Sequence, residues 1–158
     1  MVVRLVNNYG NELTLSPFSL TLHGINASTG YLFQHDPDIP AGTVYGNMVK
    51  QGDPVTLPDN TDLNNAVYEA SSLVFPGTGS YLCDVSFTVT AAGGTALTPT
   101  QSFDFQDLPV HDNRGQDITS IARNQKLIIT ITINQGEMLS FSFEVGDWTE
   151  KTETVSFD

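Results

Sequence analysis

Only one cysteine occurs in this chain, Cys83, so no disulfide can form within it. Basic residues are almost as scarce. Six Lys plus Arg stand against eighteen Asp plus Glu, a formal charge of −12. The six (Arg4, Lys50, Arg114, Arg123, Lys126 and Lys151) are scattered along the chain. Nucleic-acid binding draws on Lys and Arg beside phosphates, and anionic leaflets attract polybasic segments, so neither partner is expected. Charged residues make up only 15%, which leaves Ser, Thr, Asn and Gln to furnish much of the polar surface. No long apolar run, signal peptide or lipid-attachment cysteine is evident, so direct membrane insertion is not expected. The chain reads as cytosolic or as the mature form of an exported protein, and its Thr- and Asn-rich surface favours the second.

Residue types that carry chemistry are also thin. The three histidines, His23, His35 and His111, lack zinc-site spacing. His35-Asp36-Pro37-Asp38 reads as a turn, and His111-Asp112 as part of a solvated, Gly-containing connection. Asp59-Asn60-Thr61-Asp62-Leu63-Asn64-Asn65 fails as an EF-hand loop, because Thr61 and Leu63 fall on ligand positions and the glycine is missing; an Asx-rich turn is expected. No nucleophile elbow or glycine-rich phosphate loop is found. Cys83 shares parity with Tyr81, Val85 and Phe87 and reads as a small buried hydrophobe. Asn26-Ala27-Ser28 spells a glycosylation sequon and receives little weight. No catalytic, cofactor-binding or metal residue is assigned, and a non-enzymatic role is expected.

What the chain does have is alternation. Apolar residues recur with period two from end to end, and helical spacing is nearly absent. Strands are expected over residues 2–6, 18–23, 31–34, 43–49, 81–90 and 95–105, the last interrupted by Pro99 in the manner of an edge or bulge. Residues 67–75 fit a strand or a short helix, residues 50–65 read mostly as loop, residues 106–123 as a polar connection, and residues 152–157 as a last short strand. Eight to ten strands without βαβ alternation point to an all-β fold. The expected form is one domain over residues 1–158, a two-sheet antiparallel β-sandwich. Tyr9, Tyr31, Tyr45, Tyr68 and Trp148 are candidates for a sugar-stacking platform, which makes a carbohydrate-binding module the alternative function.

The strongest pattern lies in residues 126–150. Leu127, Ile129, Ile131 and Ile133 alternate with polar residues, a Gly-containing turn follows, and Leu139, Phe141, Phe143 and Val145 alternate with Ser140, Ser142 and Glu144. This is a core hairpin with its odd residues inward. Trp148 breaks that parity, so a kink near Gly146-Asp147 is expected if its ring also points inward.

The text Lys126-Leu127-Ile128-Ile129-Thr130-Ile131-Thr132-Ile133-Asn134, then residues 138–145, then Gly146-Asp147-Trp148-Thr149, resembles the C-terminal domain of the fimbrillin-like proteins of Bacteroidales. A weaker echo lies in residues 13–18 and 25–31. The resemblance implies a transthyretin-like, Greek-key sandwich in a fimbrial (pilus) subunit or adhesin-like domain at the cell surface. Its partners would be other pilus subunits or itself, and a host or glycan ligand. Members are typically lipoprotein precursors with two such domains, and this chain matches one. Subunits of that family polymerise by strand exchange after trimming near an arginine. By that analogy Val2, Val3, Arg4, Leu5 and Val6 form the candidate exchange segment.

Overall fold

The computed structural model describes residues 1–26, 30, 39–52, 54–58, 68–71, 73–91, 100–134 and 138–147. Eleven strands follow in chain order: β1 (Val2–Asn8), β2 (Leu13–Ile25), β3 (Gly46–Gly52), β4 (Val55–Leu57), β5 (Tyr68–Ser71), β6 (Gly77–Thr78), β7 (Leu82–Ala91), β8 (Thr100–Pro109), β9 (Ser120–Ile121), β10 (Gln125–Asn134) and β11 (Met138–Asp147). One sheet has the order β11-β10-β1-β5. The second runs β3-β2-β7-β8, with β4 also paired to β2, and β6 pairs with β9. The all-β sandwich expected from the alternation is the observed fold.

Inward residues of both large sheets meet in one apolar cluster. Val3, Leu5, Leu127, Ile129, Ile131, Ile133 and Phe143 come from the first sheet. Leu13, Leu15, Phe18, Leu20, Leu22, Cys83, Val85 and Phe87 come from the second. Burying a side chain of this size is worth about 1.5–3 kcal/mol, so this double layer is the main source of stability.

One pairing departs from the antiparallel rule. β1 lies parallel to β10, with Val2 opposite Ile128 and Asn8 opposite Asn134. A parallel neighbour cannot be reached by a tight hairpin, so the chain joins these strands through most of its length. Strands in such a position are commonly covered on both faces. Val2, Val3, Leu5 and Val6 are accordingly all buried.

Several sequence expectations are revised. β2 spans thirteen residues, beyond the predicted 18–23, because its inward parity changes twice. Leu13 and Leu15 point inward, a register shift between Ser16 and Ser19 carries the chain past Pro17, and Phe18, Leu20 and Leu22 then point inward. A second shift between Leu22 and Ile25 passes through Gly24 at φ 72°, where a Cβ would stand 2.6 Å from the Ser80 carbonyl oxygen. Residues 50–65 are not all loop: β3 runs on to Gly52, and β4 carries the fully buried Leu57. β1 runs on through Asn7 and Asn8, two residues beyond the expected 2–6.

Residues 68–71 form a strand, so the helical alternative for that segment is discarded. Residues 106–123 are no simple polar connection either. β8 continues to Pro109, and Val110, Ile118 and Ile121 are each buried. Backbone bonds hold that stretch at Val110 N–H to Tyr81 O (3.2 Å) and Gly79 N–H to Thr119 O (2.9 Å). The segments 31–34, 59–65 and 152–157, with Pro99 and Trp148, lie outside the described residues.

Candidate functional site

The candidate exchange segment sits at the centre of the first sheet. β1 pairs with β10 over seven residues and with β5 over four. Its odd residues Val3 and Leu5 enter the main core, whereas Val2 and Val6 are buried on the opposite face. Arg4 lies mid-strand, level with Thr130 and Glu69 in the ladders. A protease would therefore reach the Arg4 peptide bond only after β1 had left the sheet.

Asn7 follows Val3 and Leu5 in core parity and is fully buried. Its Nδ2 donates to the carbonyl oxygens of Asn11 (2.8 Å), Leu57 (3.0 Å) and Pro58 (3.1 Å), while its Oδ1 accepts from Tyr9 N–H at 3.0 Å. Three carbonyls on one side and an N–H on the other admit only this amide orientation. Asn7 thus ties the end of β1 to β4 of the facing sheet. Asn8 Nδ2 donates to Asn134 Oδ1 at 2.9 Å, and Asn134 Nδ2 donates on to Ser140 Oγ at 2.9 Å. Sequence reasoning missed this latch, although an asparagine with the parity of a buried leucine was its signal.

Residues 125–134 and 138–147 pair as a hairpin, and Trp148 lies outside the described residues. β10 and β11 pair without interruption from Asn134 opposite Met138 to Gln125 opposite Asp147, so no kink occurs through Asp147. Leu127, Ile129, Ile131 and Ile133 are buried, and Phe143 is the deepest of the β11 set; Leu139, Phe141 and Val145 are half-buried. Ile128 is also buried, on the face opposite its odd neighbours.

Cys83 behaves as a packed hydrophobe. It is inaccessible, and burial, reinforced by the charge of Asp84, pushes its thiol up to about 12. A thiol in that state is a poor nucleophile at neutral pH. Labelling by a thiol reagent is expected to be more than about a thousandfold slower in the native protein than in denaturant, because access requires opening of the core. Rapid native labelling in a stopped-flow assay would contradict this placement.

His23, near the end of β2, is paired with a carboxylate. Its Nε2 lies 2.6 Å from Asp84 Oδ2, and Asp84 Oδ1 accepts the Asp107 N–H at 2.8 Å. Asp107 has φ 53° at the register shift between β7 and β8, so the pair holds a bulge. The hydrogen bond to Asp84 raises the His23 pKa, partial burial opposes the shift, and Asn47 and the charges of Asp84 and Asp107 add to it. Asp84 is held below the usual carboxylate value, first by the Asp107 amide and then by His23.

The sign of the pH dependence follows from these two directions. The His23 contribution is full below its unfolded value of 6.5 and is lost as pH rises through the raised folded pKa. The Asp84 contribution is full above 3.8 and is lost as pH falls through the depressed folded pKa. His23→Gln is therefore expected to cost about 1 kcal/mol at pH 5.5 and clearly less at pH 8.5. Urea melts at the two pH values check this, and an equal cost at both would refute it.

The remaining candidates separate from one another. Asp112 Oδ1 accepts from the backbone N–H of Arg114 (2.8 Å) and of Gln116 (2.9 Å), which caps a tight hairpin turn containing Gly115 at φ 74°. Those amides, Gln116 first, hold its carboxyl below the ordinary value. His111 Nδ1 lies 2.7 Å from Asp117 Oδ1, but not at a hydrogen-bonding angle. The 111–117 segment is thus an ordered turn and not merely a solvated connection. Among the described residues, no group of three or more His, Cys, Asp or Glu could hold a metal ion.

Asn26 is fully buried and its Nδ2 donates to the Pro76 carbonyl oxygen at 2.8 Å, so the sequon asparagine is inaccessible in the folded chain. Of the aromatic platform candidates, Tyr9 packs on the core beside Ala91 and Ile133, whereas Tyr45 packs against Gly77 and its hydroxyl accepts from Thr78 N–H at 3.3 Å. Tyr31 and Trp148 lie outside the described residues.

Comparison with protein-family models, with curated proteins and with solved structures returns no match to this chain.

Proposed function

We propose that this chain is a non-enzymatic structural subunit of a cell-surface fibre or adhesive assembly, joined to its neighbours by exchange of the strand position that β1 occupies. The observation that carries the proposal is the place of β1. β1 fills the middle of a sheet between β10 and β5, parallel to β10, with Met1, Val2, Val3, Leu5 and Val6 buried. Its departure would leave a groove edged by the unpaired ladders of β10 and β5. Such a groove gains backbone hydrogen bonds and alternate side-chain pockets when an extended segment enters. The resemblance of the β10–β11 hairpin to fimbrillin-like domains supports the same role and its surface location. The test is the assembly state of the chain lacking residues 1–8, measured by size-exclusion chromatography with light scattering. Association of the shortened chain supports exchange, and a folded monomer of unchanged behaviour argues against it.

A further inference from the structure

The outward face of the second sheet is rich in short polar side chains. Across its ladders Thr56, Thr14, Thr90 and Thr100 form one row, and Ser19, Ser86 and Asp104 form another. Thr21 and Asp84 stand opposite each other in a third. Toward Thr100 the hydroxyls satisfy one another, Thr90 with Thr100 at 3.2 Å and Thr88 with Ser102 at 3.0 Å. Among the described residues no such pair joins the hydroxyls of Ser19, Thr21 and Ser86.

These three hydroxyls line a pocket of about 190 Å³ together with Asp84, Val85 and Gln106. A bulge shapes its β8 wall. The register of β7 and β8 shifts between Cys83 and Val85, and Asp107 stands at φ 53°, a conformation uncommon outside glycine. Asp84 fixes that bulge by accepting the Asp107 N–H, and the preceding residue, Gln106, lines the pocket. Gln106 Nε2 donates to Asp104 Oδ1 at 2.7 Å, and its Oε1 is a further acceptor.

We propose that this pocket binds one ring of a neutral saccharide, free or at the end of a glycan, through the hydroxyls of Ser19, Thr21 and Ser86 and the carboxamide of Gln106. The chemistry of the walls selects this class. Each hydroxyl donates one hydrogen bond and accepts two, which matches the hydroxyls of a sugar. Anions are disfavoured, because Asp84 lines the pocket, Asp104 adjoins Gln106, and the lining residues include no Lys or Arg. A divalent cation takes about six oxygen ligands. Asp84 is the single carboxylate of the lining, and its oxygens already meet His23 and the Asp107 amide. The volume suits one ring, since drug-sized ligands occupy about 300–1,000 Å³. Val49, level with Thr21 on β3 and 55% exposed, offers an apolar neighbour for the C–H groups of the ring. The site uses none of the tyrosines considered as a stacking platform. It lies on the sheet that does not contain β1, so it is independent of strand exchange.

NMR of the full chain tests it. Amide shifts are followed during titration with glucose, galactose, mannose and N-acetylglucosamine, each also as its methyl glycoside. At least one is expected to give saturable shifts at residues 19–21, 84–86 and 106. The expected dissociation constant is about 1 mM, the order reached by ligands of about a dozen non-hydrogen atoms. Binding of the methyl glycosides assigns a glycan end, and binding of the free sugars alone assigns a soluble sugar. Glucuronate is expected to bind about tenfold more weakly or worse. Thr21→Val/Ser86→Ala removes two outward hydroxyls and leaves the core untouched, and it is expected to weaken binding by about tenfold or more. No saturable shift with any of these neutral sugars would overturn the proposal, and so would shifts that map elsewhere. Glucuronate binding as tightly as the neutral sugars, or undiminished binding by the double variant, would overturn it equally.

Discussion

Replacing Asn7 by alanine is expected to lower the unfolding free energy by about 3 kcal/mol, although one small polar side chain is all that is lost. Its amide serves four backbone groups at once: the carbonyls of Asn11, Leu57 and Pro58 and the N–H of Tyr9. Leu57 itself is fully buried, so water has poor access to replace the missing donor. An unsatisfied buried group costs about 1–3 kcal/mol, and more than one is created here. For a chain of this size the loss corresponds to a melting temperature lower by about 6–12 °C.

Asn7→Asp separates the donor from the shape. It keeps the side-chain volume but sets an acceptor against three carbonyl oxygens, so it is expected to be at least as damaging as alanine. A cost below about 0.5 kcal/mol for either variant would mean that the latch does not hold β1. Because Asn7 links β1 to β4, hydrogen exchange in the alanine variant should rise first along β1 and at Leu57.

The latch also marks the limit of what the sequence disclosed. The hairpin of β10 and β11 was legible because alternation from Ile129 to Asn134 and from Leu139 to Val145 admits one inward face. The strand around Cys83 was legible for the same reason. β2 was legible only in part, since Pro17 and Gly24 each shift its register and split one strand into segments of opposite parity. Val110, Ile118 and Ile121 were missed because single apolar residues in a polar stretch carry no period, and partners distant in sequence bury them. Alternation reports which face of a strand is apolar but not which strand lies beside it. The parallel pairing of β1 with β10, on which the candidate site depends, therefore left no mark in the pattern.

Removal of β1 is expected to have the largest effect of any change considered. Five buried apolar side chains, Met1, Val2, Val3, Leu5 and Val6, leave with it. At about 2 kcal/mol each they contribute on the order of 10 kcal/mol, an upper figure because the unfolded chain already shelters some of that surface. Domains of this kind are stable by about 5–15 kcal/mol in total. A chain without residues 1–8 is therefore not expected to persist as the same monomer. It must recruit a strand or lose its fold.

That choice gives the most direct measurement. The chain lacking residues 1–8 is to be followed by light scattering and far-ultraviolet circular dichroism, with and without the synthetic peptide MVVRLVNN. The expected result is association of the shortened chain into larger β-rich species, with the peptide returning it to a one-to-one complex of monomer size. The intact chain should ignore the peptide, since its groove is already filled. A shortened chain that stays a folded monomer and does not bind the peptide, or one that stays unfolded whether or not the peptide is added, would contradict an exchangeable β1 groove.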